Sequence, residues 1–308
     1  MIQNNGVTLR VVVEGQGPLV LMLHGFPQCW YLWRRQIDDV VAAGFQVAVP
    51  DQRGYGGSDK PAEIDAYACG VLMADAVGIA DALGHESFTL VTHDYGAVLG
   101  WDIALAYRER VAGVFALSVP PSRRQAQNAR RSPVGDNFLH FLYFQQPDVP
   151  EAELDADIRR SLRMVHYAMS GDAPDGLFLQ PKPADSGLLD GLIDPEPLPR
   201  WLTKSDLDVY ADAYRDGFRG PINWYRGYRR DDELFAGDVP AISVPAHLVV
   251  GSRDASRTLL ADAFAAVEQN VTDLRGNVVL EGAGHWLQLE RTHEVNIALL
   301  AFLRELHR

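Results

Sequence analysis

An α/β fold with a doubly wound, mostly parallel sheet and an inserted helical segment is expected from three features of the sequence. Short β-rich runs alternate with stretches of helical spacing from Val7 to Val119. The alternation breaks between about Pro120 and Pro240, where charges, aromatics and Pro/Gly stretches such as Gln180-Pro181-Lys182-Pro183 dominate. It resumes at Ala246 and continues to the last helix. Strands that alternate with helices pair in parallel, because each crossover must bury its helix against the sheet.

The elements follow in order. Val7 to Val13 and Pro18 to Leu23 are β-rich runs around a Gly15-Gln16-Gly17 turn, which reads as a hairpin. Phe45 to Val49 is short and apolar, as a buried strand should be. Between Asp65 and Leu83, Leu72, Ala76, Ile79, Ala80 and Leu83 recur at helical steps and predict one helix face. Phe88 to Thr92 is a strand running into helix-compatible sequence from Gly96 to Arg108, and Val111 to Val119 is a further strand. Helices are expected over Asn137 to Phe144, Pro150 to Met169 and Lys204 to Phe218. The second core half reads as strand Ala246 to Val250, helix Leu259 to Val267, strand Asn277 to Leu280 and helix Val295 to Leu306. The division predicted is 1–125 and 236–308 as one core and 126–235 as a helical cap.

Composition narrows the function. The 308 residues are 47% hydrophobic and 22% charged, which is ordinary for a globular protein. A net charge of −13 disfavours nucleic acid, and the dense basic stretch from Arg123-Arg124 to Arg130-Arg131 reads as a solvated loop. Two cysteines, Cys29 and Cys69, cannot build a disulfide framework and fit a reducing compartment. Zinc spacings are absent, the N-terminus has no secretory signal pattern, and no apolar run approaches a membrane span. The expectation is a cytoplasmic protein with no nucleic-acid or membrane partner and an open oligomeric state.

The chemistry is clearest at Leu90-Val91-Thr92-His93-Asp94-Tyr95-Gly96-Ala97, where an apolar strand meets small residues able to start a helix. This resembles the nucleophile elbow of α/β-hydrolases, with Asp94 as the nucleophile and Thr92 where glycine is common. Alone, an Asp here could equally be a helix N-cap. Three more segments match that fold. His24-Gly25-Phe26-Pro27 falls where the oxyanion loop lies, so the N–H groups of Phe26 and Tyr95 are the expected oxyanion donors. Asp254 and His285 each follow a strand, and the order Asp94, Asp254, His285 is that of the fold's triad.

An Asp nucleophile changes the reaction class. Attack on an ester or amide would give a high-energy anhydride, whereas displacement at a saturated carbon gives a stable alkyl ester that activated water can cleave. Epoxides and carbon–halogen bonds remain. The segments His24 to Pro27, Asp51-Gln52-Arg53-Gly54-Tyr55-Gly56, His93 to Gly96, Tyr143-Phe144-Gln145-Gln146-Pro147 and Gly217 to Arg226 resemble motifs of the epoxide hydrolase branch, over most of the chain. The resemblance implies no cofactor and no metal, an α/β-hydrolase fold with an inserted helical cap, and a small or medium apolar epoxide with water as substrates. It places Tyr225 as one donor to the epoxide oxygen. The usual first cap tyrosine is replaced by His140, so the second donor is His140, or Tyr143 if the helix is rotated. Tyr143, Trp286 and Pro27 are expected to contact substrate.

Two other readings are weighed. A haloacetate or haloalkane dehalogenase could use the same Asp94, but Tyr95, Val98 and Phe26 stand where the carboxylate-binding or halide-binding residues of those enzymes would be. A non-catalytic small-ligand-binding protein would not need all three triad members. Asp51 and Arg53 read as a structural pair, and Gly54 to Asp59 only superficially suggests a phosphate loop. Trp30 and Trp33 read as packing residues, like His166 and His247.

Overall fold

The computed structural model describes residues 1–122, 138–228 and 240–308. The expected domain boundaries at 125/126 and 235/236, and the basic stretch from Arg123 to Arg131, lie outside the described residues.

Among the described residues nine strands carry the architecture: β1 Ile2–Asn4, β2 Val7–Leu9, β3 Val11–Glu14, β4 Leu19–Leu23, β5 Gln46–Pro50, β6 Phe88–His93, β7 Val111–Leu117, β8 Ala246–Gly251 and β9 Leu274–Leu280. The main sheet has the order β3-β5-β4-β6-β7-β8-β9. Only β3 runs antiparallel to its neighbour. Every residue of β4 and β6 is buried, the pattern of strands covered on both faces. At the far edge, β9 alternates between half-buried and exposed. Helices α1 (Ile37–Ala42), α2 (Cys69–Ala82) and α3 (Tyr95–Ala106) belong to the first core half, with α2 packed on α3 and on β4.

Three sequence expectations need correction here. Residues 7–23 are not a hairpin, because β5 lies between β3 and β4. The five-residue apolar β4 demands cover on both faces, so it takes an interior place and leaves the half-exposed β3 at the edge. The real hairpin is β1–β2, closed by Asn5-Gly6 with φ of 49° and 75° at its two central positions. The helix expected over 65–83 is two pieces, a 3₁₀ turn Ile64–Tyr67 and α2, because Ala68 is extended. Likewise 259–267 divides among the short helices Ser256–Leu259, Ala261–Ala265 and Val267–Asn270.

Between β7 and β8 the described residues form helices α4 (His140–Tyr143), α5 (Val149–Asp155), α6 (Ile158–Ala168), α7 (Lys204–Ala213) and α8 (Arg219–Gly227). The sequence pattern assigns no element to α8, since Gly220 and Pro221 mimic a loop; both sit in its first turn, where proline is tolerated. α8 lies on the core. Trp224 Nε1 donates to Arg53 O at 2.8 Å, and a Cβ on Gly220 would stand 2.5 Å from Gly54 O. The final helices of the chain are Leu287–Glu290 and Thr292–Leu306.

Candidate active site

Four loops at the carboxyl ends of parallel strands supply the site, the usual ligand position of an open α/β sheet. Asp94 occupies the turn from β6 into α3 with φ 55° and ψ −124°, a strained conformation for a residue with a side chain. The turn is tight on its neighbours. A Cβ on Gly96 would lie 2.4 Å from Leu23 O, and one on Gly25 only 2.2 Å from Asp94 Oδ1. Thr92, bulkier than the usual glycine, finds its room at Gly100: a Cβ there would come within 2.6 Å of Thr92 Cγ2.

The Asp94 carboxylate is divided between two environments. Oδ1 accepts the Phe26 N–H at 2.8 Å, and the Tyr95 N–H also bonds this carboxylate. Oδ2 lies 3.3 Å from His285 Nε2. The other face of that imidazole holds Asp254, with Nδ1 3.0 and 3.1 Å from its two oxygens. Asp254 is buried and also accepts the Ser256 N–H at 2.9 Å. The structure therefore brings Asp94, His285, Asp254, Phe26 and Tyr95 together.

Electrostatics favour the charged form of this chain of groups. Burial would raise the Asp94 carboxyl, but the hydrogen bond and charge of the adjacent His285 and the Tyr95 N–H outweigh it and hold it down to about 2. Burial would lower His285, but the charge and hydrogen bond of Asp254, with those of Asp94, raise it to about 10. Both shifts favour the carboxylate–imidazolium form of the pair. His93, by contrast, is lowered to about 3, first by burial and then by His285, and is neutral.

Tyr225 and His140 face this centre from the helical insertion. The Tyr225 ring packs on Tyr95 (4.8 Å between centroids), Phe144 (4.6 Å), Phe26 (5.6 Å) and Phe141 (5.6 Å). Burial and then the Asp94 charge push its phenol well above 10, so it keeps its proton. The His140 ring is 6.4 Å from that of Tyr225 and feels the same Asp94 charge, yet burial lowers it to about 4 and leaves it neutral.

Not every candidate joins them. Tyr143 turns away: its hydroxyl donates to Glu153 at 2.6 Å, and its ring packs on Phe138, so it is not the alternative donor. Trp286 is fully buried behind His285, 4.8 Å from it, with its indole N–H given to His166 O at 2.7 Å; it is a wall of the histidine loop and not a substrate contact. Pro27 is buried in the turn closed by the Gln28 N–H to Gly25 O. Asp51 and Arg53 do not pair with each other. Arg53 forms a two-point bridge to Asp75 at 2.7 and 2.8 Å. Asp51 accepts from Trp30 N, Gly57 N and Arg10 instead. The glycine-rich loop from Gly54 thus wraps an internal carboxylate, and a Cβ on Gly56 would lie 2.3 Å from it.

Sequence reasoning missed Glu290. Its carboxylate accepts the N–H groups of Gly284 and Trp286, on either side of His285, at 2.9 and 3.0 Å, and that of Gly171 at 2.8 Å. His285 itself donates its N–H to Met169 O at 2.8 Å, while its carbonyl accepts from His93 and Ser118. No residue-type pattern singles out a glutamate five positions after a histidine; its role exists only once the loop closes. Among the described residues no group of His, Cys, Asp and Glu could hold a metal ion.

Comparison with known proteins identifies the family. Residues 18–144 match the family model described as alpha/beta hydrolase fold. The chain is 41% identical to Epoxide hydrolase A of Mycobacterium tuberculosis, covering 98% of this chain and 96% of that protein. It is 33% identical to Epoxide hydrolase B of the same organism, over 94% and 92%. Among solved structures, Epoxide Hydrolase A from Mycobacterium thermoresistibile superimposes with a TM-score of 0.90 at 42% identity, over 98% and 97% of the two chains. An epoxide hydrolase from an endophytic Streptomyces gives 0.91 at 39% identity, over 97% and 92%. The chain belongs to the epoxide hydrolase family of the α/β-hydrolases.

Proposed function

We propose that this chain converts a small or medium apolar epoxide to a vicinal diol through a covalent ester on Asp94. The observation that carries the reading is the divided Asp94 carboxylate: Oδ1 held by the Phe26 N–H at 2.8 Å, and Oδ2 turned toward His285 at 3.3 Å. Oδ2 attacks an epoxide carbon and the ring C–O bond breaks, while Tyr225 and His140 hydrogen-bond the leaving oxygen. The aromatic walls of Phe26, Phe141, Phe144 and Tyr95 around Tyr225 suit an apolar substrate.

Esterification removes the Asp94 charge, which is one of the influences that raise His285. The imidazolium becomes more acidic, and its proton neutralises the alkoxide. The neutral imidazole then takes a proton from water as the oxygen of that water attacks Cγ of Asp94, with Asp254 stabilising the imidazolium that returns. The oxyanion forms on Oδ1, which already accepts the Phe26 N–H, with the Tyr95 N–H bonding the same carboxyl group. Collapse expels the diol with Oδ2 in it, and the carboxyl proton passes to the departing oxygen. The helical segment acts as a cap that supplies the donors, and the three residues Asp94, His285 and Asp254 act as a catalytic triad. Two cysteines that form no disulfide accord with a cytoplasmic location.

Because the diol takes Oδ2 and the enzyme takes the oxygen of water, a single turnover in ¹⁸O-labelled water is decisive. The label is expected in the Asp94 peptide and not in the diol. First-turnover diol that carries the label would rule out the ester route.

A further inference from the structure

The two insertion segments that carry the oxygen donors each hold one long polar side chain with no part in the chemistry above. These are Gln145, after α4, and Arg226, next to Tyr225 in α8. Each reaches across to the other segment. The Arg226 guanidinium, 6% exposed, donates from Nε to Phe144 O at 2.9 Å and from Nη2 to Gln146 O at 2.7 Å. Nη1 and Nη2 meet the two oxygens of Glu151, itself 7% exposed, at 2.5 and 3.0 Å, and Nη1 also donates to Asn223 Oδ1 at 3.3 Å. All five N–H donors of the arginine are used, a pattern that a lysine cannot reproduce. In return, the Gln145 amide donates to Tyr225 O at 2.8 Å and to Phe141 O at 3.2 Å.

These bonds meet a physical need. α4 is four residues long, too short to hold its own orientation in water, and it is the element that carries His140. Two donors to one oxygen must be held to a fraction of an ångström for both to act. A solvent-exposed arginine and glutamate would contribute little, but a buried, fully satisfied pair has one low-energy geometry.

We propose that Arg226, with Glu151 and Gln145, is a positioning clamp that sets the relation of the Tyr225 hydroxyl to the His140 imidazole. The inference rests on the assignment of those two residues as oxygen donors. Arg226 touches no reacting atom, so its effect belongs to ring opening alone; ester hydrolysis uses His285 and water.

Single-turnover kinetics on Gln145→Ala and Arg226→Lys test this, with the rates of ester formation and ester hydrolysis measured separately. Arg226→Lys is expected to slow ester formation about tenfold or more and Gln145→Ala about threefold, with hydrolysis of the ester changed less than about twofold in both. Gln145 is exposed, so its variant decides the matter even if Arg226→Lys fails to fold. In a Tyr225→Phe background the effect of Gln145→Ala should shrink, because the clamp acts through that hydroxyl. Equal slowing of both steps, or an unchanged rate of ester formation in the folded variants, would overturn the clamp. A Tyr225→Phe enzyme that forms ester at the wild-type rate would instead overturn the donor assignment, and the clamp with it.

Discussion

Replacing His285 with glutamine separates the two half-reactions and tests the electrostatics of the nucleophile at the same time. Asp94 sits at about 2 against an ordinary 3.8, so its surroundings favour the carboxylate by about two pH units. At about 1.36 kcal/mol per unit this is about 2 kcal/mol. Burial opposes that shift, and His285 supplies the largest opposing influences, so a neutral amide in its place leaves burial to dominate. Asp94 is then expected to titrate about two units higher or more. Two results follow. Without a base the ester should persist, with hydrolysis slowed by about 10²-fold to 10⁴-fold. The acid limb of ester formation, at the edge of the accessible range in the wild type, should move into the measurable region near pH 4 to 5. Quenched-flow sampling with mass analysis of the Asp94 peptide between pH 3.5 and 8 reads both. No adduct at any pH would refute the nucleophile, and an adduct whose pH profile matches the wild type would refute the account of His285 as the group that holds Asp94 ionised.

Further outcomes are expected. Tyr225→Phe should slow ester formation by about 10²-fold while leaving hydrolysis of a preformed ester near its wild-type rate, as rapid quench can show. Tyr143→Phe should leave turnover within about twofold but lower unfolding free energy by about 1–2 kcal/mol, since the buried hydroxyl serves Glu153; denaturant titration checks this. Gly100→Ala should destabilise by about 1–3 kcal/mol through its approach to Thr92 Cγ2, and Thr92→Gly in the same chain should restore the loss. Stability should depend on pH through the central pair. His285 is raised from 6.5 to about 10, so its contribution is complete below 6.5 and is lost as pH rises through 10. Asp94 is lowered from 3.8 to about 2, so its contribution is present above 3.8 and is lost as pH falls through 2. Melting temperature should therefore fall from pH 7 to 10 more steeply in the wild type than in His285→Gln; parallel curves would count against the ion pair.

Much of this was legible along the chain because the relevant signals are local. A run of apolar residues followed at once by a reactive side chain and a glycine states a strand, a turn and a helix within eight positions, and Asp94 could be read from it. The choice of aspartate over serine by itself limits the chemistry to attack at a saturated carbon. Strand runs such as 88–92 and 246–250 were visible for the same reason. Pairing was not. The Gly15–Gly17 turn looks like a hairpin locally, and only competition for cover on both faces of β4 sends β5 between its flanking strands.

The site divides along the same line. Sequence order and residue type were enough to single out Asp94, Asp254 and His285, the Phe26 and Tyr95 amides and Tyr225 as candidates, because each lies in a short stretch with its own pattern. Which of His140 and Tyr143 faces Asp94 depends on the rotation of a single helical turn, and that is decided by Glu153 claiming the Tyr143 hydroxyl. The partners of Asp51 and Arg53, the three amides gathered by Glu290 and the Arg226 clamp join residues distant in the chain through backbone groups that no residue letter encodes. Chemistry is written in side-chain identity and local spacing, whereas the geometry that makes it work is set by long-range burial and by the need of every buried polar group for a partner.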